Sequence, residues 1–298
     1  MTLPAGFTAR PHVLADAAMV CALIEAAERV DVGEPAIEVA DIEGAWSRPS
    51  FDLATQSIGA FDGDVLAASG DVFKGRRAEA AVHPDYRGRG LGTWLAQWLE
   101  ECARAHGSRL VGQTVPAGSG AEDFLTARGY REGWTSWVLQ VPAGATIGPQ
   151  PLPEGYRLRE YAGSVDDARA FQLIEDAFNE WPDRDPATLE DWAANAVRRP
   201  GFEPWQLRFV EDPQGTAVGV CFTILAGRTG YVDQLAVRRD QRGLGLARAL
   251  LVDAFERARG QGASVSELST DSRTGALGLY EHVGMTVSQT WRHWMTDL

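Results

Sequence analysis

The stretch Arg242-Gly243-Leu244-Gly245-Leu246-Ala247, entered through Leu235-Ala236-Val237, decides how this chain is read. Val237 closes a strand-like run, and Gly245 opens a pattern reaching Ala258 with Leu246, Leu250, Leu251 and Phe255 on one helical face. The glycines therefore fall on a strand-to-helix turn. Amides at a helix start lack intrahelical partners, and the peptide dipoles add partial positive charge beside them. Glycine removes the Cβ, so a bulky anion can reach the main chain. Such a turn is a cradle for a pyrophosphate. A dinucleotide fold would want G-x-G-x-x-G in a parallel βαβ unit, and a Walker loop would want Gly-Lys-Ser/Thr. This chain has neither arrangement at the turn.

The same pattern occurs a second time. Ala81-Val82-His83-Pro84-Asp85-Tyr86-Arg87-Gly88-Arg89-Gly90-Leu91-Gly92 matches Ala236 to Ala247 in register, since 242 − 87 and 237 − 82 are both 155. Each copy continues into a long amphipathic run, a short β-rich run and a short helix closing at a glycine. Those glycines, Gly129 and Gly284, are again 155 apart. Two copies, each large enough for its own core, predict a tandem pair rather than a solenoid. The run from Val141 to Pro153 is rich in Pro and Gly and carries no charge, so it reads as a linker. The expected division is 1–141, a linker at 142–153, and 154–298.

In the second copy, Tyr156 to Tyr161 alternates as a strand, and 165–178 and 189–197 read as helices. Two strands, 203–210 and 217–225, meet at the turn Asp212-Pro213-Gln214-Gly215. A strand at 230–237, the long helix, a strand at 265–269, a helix at 274–282 and a strand or strand pair at 286–295 follow. This is an α/β chain with helices set into a mostly antiparallel sheet.

Arg87-Gly88-Arg89-Gly90-Leu91-Gly92 and Arg242 to Ala247 resemble the pyrophosphate signature Gln/Arg-x-x-Gly-x-Gly/Ala of the GNAT N-acetyltransferases. Leu279-Tyr280-Glu281-His282-Val283-Gly284-Met285 is similar to the family's Leu-Tyr-Glu-x-x-Gly-Phe. The resemblance spans nearly the whole chain, one copy per half, and implies two tandem GNAT domains with acetyl-CoA as cosubstrate. The pantetheine arm would lie between the parallel strands 231–237 and 265–269. Val82 and 87–92 form the corresponding cradle of the first copy.

Acetyl transfer to an amine needs a neutral nucleophile, a stabilised oxyanion and a proton for the leaving thiolate. By the resemblance Tyr280 supplies the proton, and the oxyanion faces main-chain N–H near Ala236 and Val237. With the closing glycines superposed, Tyr280 falls on Leu125, so chemistry is expected in the second copy alone. The first copy is expected to bind cofactor or serve as scaffold. Several family members place a basic glutamate eleven residues before the signature; here 242 − 11 is 231, and Tyr231 stands there. Asp233, two positions on and so on Tyr231's strand face, is the first substitute, and Glu267 on the next strand is the second. Either could instead orient substrate while water carries the proton. The acidic stretch holding Glu180, Trp181 and Asp183 could draw a cationic amine, with Trp181 offering a cation–π face, or could be a solvated surface.

Composition limits the partners. A net charge of −13 disfavours nucleic acid, which needs clustered Lys and Arg. No apolar run approaches the roughly 18 residues that span a bilayer. The opening Met1-Thr2-Leu3-Pro4-Ala5-Gly6 lacks the pattern of a signal peptide, so a cytoplasmic location is expected, as monomer or homodimer. Cys21, Cys102 and Cys221 read as buried reduced thiols, and no His/Cys spacing suggests a metal. The expected activity is transfer of acetyl to a small-molecule or peptide amine. The rival is a non-catalytic acyl-CoA sensor.

Overall fold

The computed structural model describes residues 2–142, 144–145, 147–180 and 186–298. They form two compact units, Met1–Thr135 with Thr290–Leu298, and Ser136–Gln289. The division departs from a cut at the linker, because each unit takes one strand from the far side of it.

The first unit runs β1 (Thr8–Arg10), α1 (Ala17–Asp31), α2 (Val39–Trp46), α3 (Leu53–Gln56), β2 (Ser57–Asp62), β3 (Val65–Phe73), β4 (Arg77–Val82), α4 (Leu91–Ala105), β5 (Leu110–Pro116) and α5 (Gly120–Ala127), then enters β6 (Arg131–Gln140). The second runs β7 (Arg157–Glu160), α6 (Asp167–Phe178), α7 (Leu189–Asn195), β8 (Leu207–Glu211), β9 (Ala217–Ala226), β10 (Thr229–Val237), α8 (Leu246–Gly260), β11 (Val265–Asp271), α9 (Leu277–His282) and β12 (Thr286–Asp297). The mixed α/β sheet expected from the sequence is present. β4 pairs parallel with β5 and β10 with β11; the remaining pairings within each unit are antiparallel.

Within the first unit the strand after β5 is the C-terminal one, in register from Trp291↔Pro116 to Asp297↔Leu110. Within the second unit the strand after β11 is the end of β6, from Glu267↔Gln140 to Asp271↔Ser136. Both strands alternate in sequence, and alternation fixes which residues share a face without fixing the neighbouring strand.

The long helices form because their apolar residues recur at helical spacing. In α8 the buried set is Leu246, Ala249, Leu250, Leu251, Ala254, Phe255 and Ala258, packed with Val218, Cys221, Val232 and Leu268 of the sheet. In α4, Leu91, Trp94, Leu95, Leu99 and Cys102 cover the same face of the first sheet. The opposite face of the second sheet packs Val220, Phe222 and Ala236 against Ala170, Ile174 and Trp192 of α6 and α7. Burial pushes the Cys21 and Cys102 thiols up to about 11 and Cys221 to about 12, so none is a ready nucleophile.

The duplication extends further than the glycine turns. Leu3-Pro4-Ala5-Gly6-Phe7 and Leu152-Pro153-Glu154-Gly155-Tyr156 repeat at an offset of 149. Behind them Arg10 grips Asp16 at 2.6 and 3.0 Å, and Arg159 grips Asp166 at 2.7 and 2.8 Å. The Arg10 guanidinium holds the Asp16 carboxyl at about 2, and Asp166 is lowered as well, where Arg159 outweighs the cost of burial.

The 142–153 segment is more than a tether. Ile147 is 8% exposed and packs in the α8 core with Leu246 and Leu250, with Leu152 beside it.

Candidate active site

Gly243 and Gly245 take φ of +80° and +79°, and Gly88 and Gly90 take +77° and +85°. These are left-handed conformations open to glycine at little cost. No main-chain amide of 243–248 donates a hydrogen bond to a described residue, nor does any of 88–93. Each turn therefore presents a row of free donors at a helix N-terminus. A diphosphate fits this donor set.

The signature arginines do not contribute free charge. Arg242 donates through Nε to the Val237 carbonyl at 3.2 Å and through both terminal nitrogens to Glu180 at 2.8 and 2.9 Å. Arg87 does the same with the Val82 carbonyl at 3.4 Å and with Asp31 at 2.7 and 2.8 Å. Asp31 and Glu180 stand 149 apart, on the offset of the leading repeat. Glu180, expected at the acceptor, is thus bound to the cofactor turn, and Arg242 lowers its pKa. Trp181 and Asp183 lie outside the described residues.

The two units differ where chemistry would occur. In the first, β3 and β4 pair without interruption from Ala68↔Val82 to Phe73↔Arg77. In the second, the ladder between β9 and β10 shifts between Val232 and Gln234, leaving Asp233 as the extra residue of a β-bulge. β10 also stays paired with β11 only from Thr229↔Val265 to Val232↔Leu268, so the two strands part at the bulge. Leu235, Ala236 and Val237 follow it. Ala236 and Val237 have core side chains, so only their main chain can face a ligand there.

The bulge corrects one inference from alternation. Gln234, not Asp233, shares Tyr231's face: Gln234 pairs with Phe222 and Tyr231 with Ile224, both packed toward α6 and α7. The Trp192 indole of α7 donates to Gln234 Oε1 at 2.9 Å. Asp233 is exposed at the bulge itself. Glu267 lies opposite Tyr231 in the parallel register and accepts from Gln140 Nε2 at 2.6 Å. The Tyr231 hydroxyl meets Ser269 Oγ at 2.7 Å. Gln140, Trp192, Gln234 and Ser269 had no signal in a motif; a bulge and a strand from across the linker bring them together.

Tyr280 lines a narrow cavity with Leu235, Ala247, Arg248, Leu251, Leu279 and Val283, on the α8 side of the sheet. Burial pushes its hydroxyl up to about 12. No described residue hydrogen-bonds it. Its counterpart Leu125 is fully buried among Val115, Tyr130 and Trp294 and has no proton to give. Among the described residues no cluster of His, Cys, Asp and Glu could hold a metal. No helix among them is long and apolar enough to cross a membrane.

Two glycine turns with free amides, a parallel strand pair that parts at a bulge, and a half-buried tyrosine with an unengaged hydroxyl fit an acyltransferase architecture. Residues 168–285 match the model of the acetyltransferase (GNAT) family, and residues 56–132 match that of an acetyltransferase (GNAT) domain. The chain belongs to the GNAT acetyltransferases, as a tandem member, and is an acyltransferase. The mycothiol acetyltransferase of Thermobispora bispora is 30% identical over 287 residues, covering 91% of this chain and 92% of that protein. That of Kineococcus radiotolerans is 30% identical, covering 96% of each. A GCN5-related N-acetyltransferase from Sphaerobacter thermophilus superimposes with a TM-score of 0.76 at 30% identity, over 99% of this chain and 97% of that one. A tandem GNAT protein from the clavulanic acid biosynthesis pathway shares the fold at a TM-score of 0.74 and 16% identity, over 98% of each chain.

Proposed function

We propose that the second unit transfers acetyl from acetyl-CoA to the primary amine of a hydrophilic small molecule, and that the amine of the mycothiol precursor is the first acceptor to test. The mycothiol acetyltransferases align over 91% and 96% of this chain, which supports that choice. One observation carries the reading: the bulge, the strand splay and Tyr280 occur together in the second unit, while the first unit has the same amide cradle with an unbroken β3–β4 ladder and Leu125.

The diphosphate rests on the 243–248 amides, and the pantetheine arm runs between β10 and β11 past Leu235. The amine nitrogen attacks the thioester carbonyl carbon, and main-chain N–H beyond the bulge receives the oxyanion. The carbon–sulfur bond then breaks. Tyr280 gives its proton to the thiolate, and the proton lost by the amine leaves through water or a carboxylate of Asp233 or Glu267. The transfer leaves the charge on the Tyr280 oxygen, and a proton relayed through water restores the hydroxyl, so that the overall change is one proton from the amine to the coenzyme A thiol.

The test is thiol release from acetyl-CoA against a panel of amines that includes the mycothiol precursor. Tyr280→Phe should lose roughly 10²- to 10⁴-fold in kcat and keep its affinity for acetyl-CoA. Binding without turnover on any amine would instead identify an acyl-CoA sensor.

A further inference from the structure

A diphosphate beside a chain of net charge −13 needs local cations, and most arginines at the second cradle are already neutralised. Arg238 is paired with Asp240 at 2.6 Å and Arg242 with Glu180 at 2.8 Å. Arg239 is exposed, within range of the Glu180 charge. Arg248, in the first turn of α8, differs. It has no carboxylate partner among the described residues and lines the cavity that holds Tyr280. Its Nη2 donates to the Gly148 carbonyl at 3.2 Å, while its Nε–H is buried and unpartnered. Buried donors are almost always satisfied, so an idle guanidinium N–H in the first turn of α8 points to a missing acceptor.

The segment before β7 completes this arrangement. A Cβ on Gly148 would stand 3.3 Å from Arg248 Nη2, so a glycine allows that approach. Two residues on, the Gln150 carboxamide fills the space left by the missing Cβ of Gly245, with its nitrogen 2.6 Å from where that atom would be. Ile147, buried in the α8 core, and Leu152, half-buried beside it, anchor the segment on either side. The first unit differs at both positions: Thr93 holds the place of Arg248 (248 − 155), and among the described residues the nearest atom to the Cβ position of Gly90 is Pro4 Cγ, at 3.4 Å.

We propose that Arg248 and Gln150 form a side-chain half of the phosphate site in the second unit, added to the main-chain half that both units share. The inference rests on the acyl-CoA reading of the cradle and adds which side chains hold the nucleotide and why the two cradles differ. Segment 147–152 is then part of the binding site.

The test is calorimetric titration of the full chain with coenzyme A and with 3′-dephospho-coenzyme A, with the KM for S-acetylpantetheine as a donor lacking the diphosphate. A hydrogen bond to a charged group corresponds to roughly 10- to 100-fold in affinity. Arg248→Gln should weaken both nucleotides about tenfold or more and leave the S-acetylpantetheine KM unchanged. Gln150→Ala should act in the same direction by a few-fold, and Arg248→Lys should fall between Arg248→Gln and the parent. Any binding step at the first cradle should not move, which gives an internal reference. Wild-type affinity for both nucleotides in Arg248→Gln would overturn the inference while leaving the acyl-CoA reading intact. Equal loss for S-acetylpantetheine would overturn it too, by showing a structural role. A parent chain that binds no coenzyme A would defeat the underlying reading itself.

Discussion

At the scale of single residues, the second unit separates charge from chemistry. The Tyr280 hydroxyl is unengaged on a half-buried side chain, and desolvation displaces its ionisation from the ordinary value near 10 to about 12. Burial disfavours the phenolate, so the proton stays on through the alkaline range and is lost only as pH rises past that displaced value. The kcat profile should therefore show no alkaline decline between pH 9 and 11 from this group; a limb centred near 10 and absent in Tyr280→Phe would contradict it. Glu180 works through Arg242. Their ion pair is partly exposed, and pairs of that kind contribute about 0.2–1 kcal/mol to stability. Glu180→Gln should leave the thermal midpoint within a degree or two, yet raise the Kd for coenzyme A a few-fold by loosening the turn. Glu180→Asp should largely restore binding, since the first unit uses Asp31 in that place. Tyr280 and the glycine turns were legible in sequence because both sit in compact motifs. The Glu180 pairing was not: its partner lies 62 positions away, and an acidic run looks alike whether solvated or paired.

Elements add what motifs omit. The glycine turn, α8 and the strands on either side of it follow from periodicity and turn chemistry and appear where those signals place them, while the parallel pairing of the two strands is what the family resemblance implies. The β-bulge does not, because one extra residue in a strand leaves no mark in a sequence already alternating on both sides of it. Strict alternation therefore puts Asp233 on Tyr231's face and passes over Gln234. Segment 142–153 is silent for another reason: Pro and Gly without a period describe a flexible tether and an anchored strap equally well, and the burial of Ile147 favours the strap. Removing a buried aliphatic side chain typically costs about 2–5 kcal/mol, and Ile147, at the edge of its core, belongs at the low end. Ile147→Ala should lower the urea midpoint of the full chain by an amount corresponding to roughly 2 kcal/mol. A free linker would show less than about 0.5 kcal/mol.

For the whole molecule, the duplicated pattern at offsets of 155 and 149 gave two units, and the difference, 155 − 149 = 6, places six additional residues in the second unit between Glu180 and Val237. What the pattern could not convey is that each unit is completed by a strand from beyond the linker. The first unit's closing strand is tied in at many points. Seven residue pairs join it to β5, His293 stacks on Trp134 at 3.6 Å, Arg292 meets Glu122 at 2.8 Å, and Trp294 packs with Leu125. Without it, β5 would expose a row of unpaired main-chain groups and the small core around Leu125 would open to water. A fragment of residues 1–135 should accordingly show no cooperative thermal transition by near-ultraviolet circular dichroism. Adding a synthetic peptide of residues 286–298 should restore one, with a midpoint that rises with peptide concentration as mass action requires. The same peptide carrying Trp294→Ala and His293→Ala should bind at least tenfold more weakly, since both side chains sit in the core it closes. If 1–135 melts cooperatively alone at the same temperature with or without the peptide, the C-terminal strand is an accessory to the first unit and the division at 135 and 290 does not describe how it folds.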